Sequence, residues 1–445
     1  MAAPVAPLAT KPLLVFLLAL VVLLLLARLL GSLAERLGLP AIVGELMTGV
    51  VLGPSLLGHL APGVSGWMLP AKPDQMHLID AVGQLGVLLL VGITGTHLDV
   101  GLLRRQAFTA TAVSVCGLVV PLSLGVAMGL LVPASLTSNG RSGHWVFAVF
   151  LGVAMCVSAI PVIAKTLSDM RLLHRNVGQL TLAAGMIDDA VGWLLLSVVS
   201  AAATVGVSAG RVGLTLAYLV GFVAVAATAG RLLVRRVMAR AARSEEPGPT
   251  VAAAVIVVLL GAVVTQTLGL EPVFGAFVAG ILIATARPAQ VRLAPLRTVV
   301  LSVLAPLFLA TAGLRMDLTA LARPAVAVTA VAVLAVAIAG KFVGAYTGAR
   351  LSRLSPWEGL ALGAGMNARG VIEVIVALIG LRLGVLNTAT YTIVVLVAIV
   401  TSLMAPPLLR LAMARVASNE DERLRKIDHD LWRGADPRSA STSSL

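Results

Sequence analysis

The sequence predicts an all-α polytopic membrane protein, with about thirteen transmembrane helices arranged as two inverted repeats. Three observations predict it. The 445 residues are 59% apolar and only 12% charged, with a mean hydropathy of +1.01, a balance typical of chains that cross a bilayer many times. Windows of about 20 apolar residues, long enough to span hydrocarbon as a helix, recur along the whole chain. Two pairs of short motifs recur seven windows apart, and an odd offset turns a repeat upside down in the membrane.

The windows fall at approximately 12–30, 40–58, 78–97, 107–132, 145–167, 177–205, 213–235, 251–269, 273–286, 297–314, 325–350, 357–382 and 390–413. The first run, Leu13 to Leu30, is too long for a signal-peptide core, and no Ala-x-Ala cleavage pattern follows it, so it reads as a retained helix. Residues 1–11 form an external tail and 12–413 one membrane domain. From about Ala414 the chain turns polar, through Asn419-Glu420-Asp421-Glu422 to a Ser/Thr-rich end. The stretch 414–445 is too short for a second domain, so no nucleotide-binding regulatory module is expected.

Charge sets the orientation. If the N-terminus starts outside, the loops assigned to the cytoplasm hold fifteen Lys or Arg, including Arg235, Arg236, Arg240 and Arg243, against six on the other face. The polar tail adds six to the first set. Cytoplasmic loops collect positive residues, which puts the C-terminus in the cytoplasm and the chain in a bacterial cytoplasmic membrane. The same placement accounts for the net charge of +13 without a nucleic-acid partner. Cys116 and Cys156 both lie inside apolar runs, so no disulfide framework is implied. The six His form no ligand cluster with workable spacing, and no metal or prosthetic cofactor is expected.

The repeat is carried by two matches. Gly44-Glu45-Leu46-Met47-Thr48-Gly49 in the second window parallels Gly275-Ala276-Phe277-Val278-Ala279-Gly280 in the ninth. Val91-Gly92-Ile93-Thr94-Gly95 with Asp99 in the third parallels Leu309-Ala310-Thr311-Ala312-Gly313 with Asp317 in the tenth. Inverted repeats are the architecture of alternating-access transporters, with the site near the midplane. The same offset pairs the fifth window with the twelfth, and both are interrupted. The fifth reads Ser158-Ala159-Ile160-Pro161, where Pro161 removes a backbone donor. The twelfth reads Gly363-Ala364-Gly365-Met366-Asn367-Ala368-Arg369-Gly370. Freed carbonyls at such breaks can coordinate a cation, and half-helix ends supply dipoles.

The sixth window carries Gly185-Met186-Ile187-Asp188-Asp189-Ala190-Val191-Gly192-Trp193. Two adjacent carboxylates in hydrocarbon cost roughly 2.5–3.5 kcal/mol each on the lenient insertion scale, so they need partners or a use. Adjacent helical residues point about 100° apart, so one partner does not serve both. The spans also hold Lys341, Arg369 and Glu373. Arg369 and Glu373 stand one turn apart and can pair with each other. Lys341 has no acid within four residues, so its partner comes from another helix, Asp188 or Asp189. Glu45 sits near a membrane edge, in a structural or access-route role, and His97 and Asp99 close the third window at the interface.

Together, Ser158-Ala159-Ile160-Pro161-Val162-Ile163-Ala164-Lys165, the Asp188-Asp189 motif, and Met366-Asn367-Ala368-Arg369-Gly370 with Glu373 resemble the monovalent cation:proton antiporter-2 family over essentially the whole membrane part. The resemblance implies a sodium/proton-antiporter-like fold in which the two-Asp motif crosses two discontinuous helices. It implies that Asp189 binds the cation and protons, that Asp188 is its neighbour, that Lys341 competes as a fixed cation, and that Ser158 and the broken backbone line the site. It also implies a homodimer. The fifth and sixth windows resemble plant-type cation/proton exchangers as well, which often carry Asn-Asp where Asp188-Asp189 stand. Glu373 lies four residues after Arg369, as in that branch, and Gly95-Thr96-His97 replaces the common Gly-Leu-Glu. These departures leave the choice between Na⁺ and K⁺ open.

The expected function is secondary antiport of a monovalent cation against H⁺. A mobile core of 107–205 and 325–413 would shift against a scaffold of 12–97 and 251–314, joined by the linker helix 213–235. A gated cation channel or K⁺ efflux system of the same fold is the main rival. An intramembrane aspartyl protease also needs two Asp, but on facing helices that share a proton.

Overall fold

A bilayer offers the backbone no hydrogen-bonding partners, so a chain this apolar satisfies its N–H and C=O groups within helices. A computed structural model describes residues 10–63, 66, 73–96, 107–133, 136–137, 143–205, 209–286, 291–420 and 422, and every regular element among them is helical. The main helices are α1 (Thr10–Arg36), α2 (Ala41–Leu52), α3 (Pro73–Thr96), α4 (Ala107–Leu131), α5 (Gly143–Cys156), α6 (Ile160–Asp169) and α7 (Asn176–Val205). They continue as α8 (Gly213–Ala241), α9 (Gly248–Thr267), α10 (Pro272–Ala284) and α11 (Ala294–Gly313). The last four are α12 (Pro324–Leu351), α13 (Pro356–Met366), α14 (Val371–Arg382) and α15 (Thr388–Met413).

Among the described residues ten helices are long and apolar enough to cross a membrane, or eleven when α13 and α14, bent by 47°, count as one span. The sequence windows suggest thirteen, and the difference falls on the fifth and ninth. The fifth window is two helices, α5 of 14 residues and α6 of 10, because 157–159 carry no regular structure. The ninth is α10, only 13 residues long, about 20 Å at 1.5 Å per residue against a hydrocarbon core of about 30 Å. His97 and Asp99, and the side chains of Pro161 and Lys165, lie outside the described residues. Helices α1 and α8 each bury only 17% of their most apolar stretch and turn rows of Leu and Val outward, as lipid-facing helices do.

The repeated motifs pack as a repeat. Helix α2 meets α11 where Gly49 faces Gly313, and α10 meets α3 where Gly280 faces Gly92 and Gly95. A methyl group on Gly49 would lie 2.0 Å from the Ala310 carbonyl oxygen, and one on Gly280 would lie 2.0 Å from that of Gly92. The approach is backbone to backbone, the close packing that small residues permit in membranes. Second on tenth and ninth on third is one contact made twice, as an offset of seven windows requires. Elsewhere α4 packs against α5, α7 and α12, while α13 lies against α12 and α15.

The polar tail is partly docked. The Glu422 carboxylate accepts the N–H of Asn176, the first residue of α7, at 2.7 Å and pairs with Arg175 Nε at 2.9 Å. An anion at a helix N-terminus is stabilised by the unpaired N–H groups and the helix dipole.

Candidate functional site

Two broken helices cross, and the crossing follows from where their backbones stop being helical. Helix α5 ends at Cys156 and α6 begins at Ile160; α13 ends at Met366 and α14 begins at Val371. The Ala159 N–H donates to the Ala368 carbonyl at 3.1 Å, and Ser158 Oγ lies 2.9 Å from the Met366 carbonyl. The Ser402 hydroxyl donates to the Arg369 carbonyl, holding the second break from α15. Gly370 is required by the approach, since a methyl group there would lie 2.6 Å from Val162 Cγ2.

The carbonyls left over at the end of α5 face two buried cations. Lys341 Nζ donates to the Cys156 carbonyl at 2.6 Å, while Arg369 donates to those of Met155 at 2.5 Å and Ala154 at 3.3 Å. The last turn of a helix leaves its C=O groups unpaired and carries a partial negative charge, so two cations there are well placed. Pro121, inside α4, has no N–H and so releases the Gly117 carbonyl four residues earlier. Lys341 takes that carbonyl at 3.0 Å. Its third proton goes to Asp188 Oδ2, at 2.6 Å. Three donors meet three acceptors, and the ammonium is saturated.

Asp188 is saturated too. Its Oδ1 accepts from Ser114 Oγ at 2.5 Å, and Ser158 Oγ stands 3.0 Å from Oδ2. The single Ser158 proton can serve either Asp188 or the Met366 carbonyl. Asp189 differs. It is 0% exposed, yet neither carboxylate oxygen has a hydrogen-bond partner among the described residues. The Ile160 N–H at the start of α6 faces it, short of hydrogen-bond geometry. In the second break Asn367 is likewise fully buried, with both amide atoms unpartnered. Arg369 pairs with Glu373 Oε1 at 3.1 Å and also reaches the Ala337 carbonyl at 3.2 Å. Glu373 Oε2 is left without a partner.

The structure therefore brings Asp188, Ser158, Lys341 and the backbone of both breaks together, and sets Asp189 beside them with its oxygens open. Lys341 meets Asp188, not Asp189. Glu45 is placed at the contact of α2 with α1, beside Gly31. Sequence reasoning missed Ser114, because one Ser in an apolar helix has no distinguishing signal. It also missed the Gly117 carbonyl, although Pro121 in the middle of the fourth window marks it. Chemically the arrangement is a fixed, internally balanced ion pair next to one uncompensated buried acid, which can hold a proton or a monovalent cation.

Comparisons with known proteins agree on the kind of molecule. A family model described as "Sodium/hydrogen exchanger, transmembrane" matches residues 15–414. The Na(+)/H(+) antiporter NhaS4 of Synechocystis is 31% identical over 402 residues, covering 90% of this chain and 97% of that protein. Cation/H(+) antiporter 19 of Arabidopsis thaliana is 28% identical over 91% of this chain and 50% of its own length. K(+)/H(+) antiporter 1 of Saccharomyces cerevisiae is 27% identical over 90% of this chain and 47% of its own. The chain thus spans about half the length of these plant and yeast relatives. The structure of the sodium proton antiporter MjNhaP1 from Methanocaldococcus jannaschii at pH 8 superposes with a TM-score of 0.66 at 18% identity, over 91% of this chain and 97% of that one. At that identity the likeness is one of fold.

Proposed function

Since the chain belongs to the sodium/hydrogen exchanger family, we propose that it is a secondary antiporter, exchanging a monovalent cation, Na⁺ or K⁺, for H⁺ by alternating access at Asp188 and Asp189. The observation that carries the reading is the contrast between the two acids. Asp188 is neutralised by Lys341 and accepts from Ser114, with Ser158 shared between it and the Met366 carbonyl, whereas Asp189 is buried with both oxygens unpartnered among the described residues. A bare carboxylate deep in protein is unstable unless it is protonated or binds a cation. Those are the two states an exchanger needs.

The charge count is simple. Asp188 and Lys341 cancel, Arg369 and Glu373 cancel, and Asp189 leaves a surplus of one negative charge for the cargo. A core of 107–205 and 325–413 moves against a scaffold of 12–97 and 251–314, opening Asp189 to each face in turn, with 213–235 as linker. The bias of Lys and Arg among the loops supports an N-terminus outside and a C-terminus in the cytoplasm. The working unit is a homodimer.

The experiment is proton flux in proteoliposomes under an imposed pH gradient, repeated with Na⁺, K⁺ and Li⁺. Saturable flux that needs a cation on the opposite side supports exchange. Cation flux that runs down its own gradient with no proton movement means a channel and overturns it.

A further inference from the structure

Helix α7 carries more than the acid pair. Asp189, Trp193, Ser197 and Ser200 follow at spacings of four, four and three residues, which at about 100° per residue keeps them within roughly 80° of arc. Trp193 is 1%, Ser197 0% and Ser200 4% exposed. Trp193 Nε1, Ser197 Oγ and both Asp189 oxygens meet no hydrogen-bond partner among the described residues, and the Ser200 hydroxyl is turned to the Glu271 carboxylate. A helical Ser or Thr ordinarily returns its proton to a carbonyl one turn back. Thr204, one turn further on, does so, to the Ser200 and Ala201 carbonyls at 3.1 Å each. Ser197 and Ser200 do not. An unsatisfied buried polar group is costly, so a file of them on one face asks for a common partner.

The face looks onto α10, where the Trp193 and Phe277 rings lie 6.4 Å apart. At its far end stands Glu271, the residue before α10, 6% exposed and faced by the Ser200 hydroxyl. Arg382, in the last turn of α14, donates to Glu271 Oε2 at 3.0 Å and keeps its own side chain 46% exposed. The pair therefore bridges α10 to the second half of a broken helix, at the membrane face where α7 ends.

We propose that this file is a hydrated half-route between Asp189 and that face, and that the Glu271–Arg382 pair is its gate. Eleven residues of helix span about 16 Å, so a polar group recurs every 5 Å or so, within reach of one or two bridging waters. The indole N–H donates, the hydroxyls both donate and accept, and the carboxylates accept, a sequence that water links into one chain. Protons and a partly hydrated monovalent cation are the species such a chain conducts. Movement of α14 away from α10 separates Glu271 from Arg382 and opens the mouth. The proposal rests on Asp189 being the cargo carboxylate, and on the loop charges for naming this face the outer one.

The test uses the full chain in spheroplasts and in inverted vesicles, which expose opposite faces to a membrane-impermeant cationic thiol reagent. Ser197→Cys and Ser200→Cys are compared with Val198→Cys, on the opposite side of α7, and with the parent carrying Cys116 and Cys156. Only a hydrated thiol ionises and reacts, so both file positions are expected to react about tenfold faster than Val198→Cys, from the outer face. Arg382→Gln is expected to raise the rate at Ser197→Cys severalfold. Rates no faster than Val198→Cys from either face, or reaction from the cytoplasmic face alone, overturn the route. An unchanged rate with Arg382→Gln overturns the gate. Labelling reports water and not exchange: a labelled file in a protein without cation-driven proton flux would sink the antiport reading and leave the file standing.

Discussion

The two halves of the site, one residue apart in sequence, are built on opposite principles. Around Asp188 every donor and acceptor is matched: three contacts on the Lys341 ammonium, two hydroxyls and an ammonium on the carboxylate. Around Asp189 the carboxylate oxygens, and the amide of Asn367 in the second break, meet no hydrogen-bond partner among the described residues. On the proposed reading, the first acid serves the structure and the second serves the cargo. A saturated buried pair gains nothing from a ligand, and an unsaturated buried acid needs one. The helix makes this possible through its geometry, because a step of 100° turns neighbouring side chains into separate surroundings.

The comparison can be broken first at Asp189. Asp189→Asn should reduce cation-driven proton flux by about 100-fold or more, because the amide keeps the shape but neither titrates nor balances a monovalent charge. Its thermal stability in detergent should match or exceed the wild type, since no hydrogen bond to the carboxylate is lost and a buried charge is removed. A clear fall in Tm would mean that Asp189 belongs to the framework after all.

Next in size is the ion pair. Lys341→Met leaves Asp188 buried and uncompensated, and breaking such a pair typically costs 3–5 kcal/mol. Adding Asp188→Asn to Lys341→Met should recover a good part of that loss. Additive losses in the double-mutant cycle would show that the two groups do not interact. Asp188→Asn alone should transport, more slowly than wild type. It leaves Lys341 held only by the Gly117 and Cys156 carbonyls. Cation-driven proton flux in proteoliposomes reads out the slower transport; a dead Asp188→Asn contradicts it.

Smaller effects sharpen the boundary between the halves. Ser114→Ala removes a hydrogen bond to a charged group, worth about 1.5–3 kcal/mol, and should lower Tm with little change in cation KM. Pro121→Ala returns the Gly117 carbonyl to the α4 ladder and weakens one of three contacts on Lys341. Its effect should be at most about 1 kcal/mol, additive with variants at Asp189 and coupled to those at Lys341.

Much of this fold was legible because charges and breaks stand out against an apolar background. Asp188, Asp189 and Lys341 are conspicuous in runs of Leu, Val and Ala, and Gly49, Gly95, Gly280 and Gly313 stood in matched motifs, although which motif packs on which did not show. What stayed hidden depends on rotation and on backbone atoms. Which Asp takes Lys341 is decided by how α7 is turned against α12, and no spacing within either helix encodes that. Carbonyl acceptors such as those of Gly117 and Cys156 carry no side-chain signature; only the missing N–H of Pro121 and the break after Cys156 hint at them. The short reach of α10 was already visible in its window, 273–286, against the 13 residues of the helix. Glu422 looked like part of a solvated tail, yet it caps α7, the helix that carries both acids.

The central claim is that Asp189 is the open acid and Asp188 the balanced one. It is tested most directly by measuring, on the same reconstituted preparations, Na⁺- and K⁺-driven proton flux and thermal stability for wild type, Asp188→Asn and Asp189→Asn. The account expects Asp189→Asn to be stable and inactive, and Asp188→Asn to be less stable and still active. Normal flux in Asp189→Asn together with a dead Asp188→Asn would reverse the assignment.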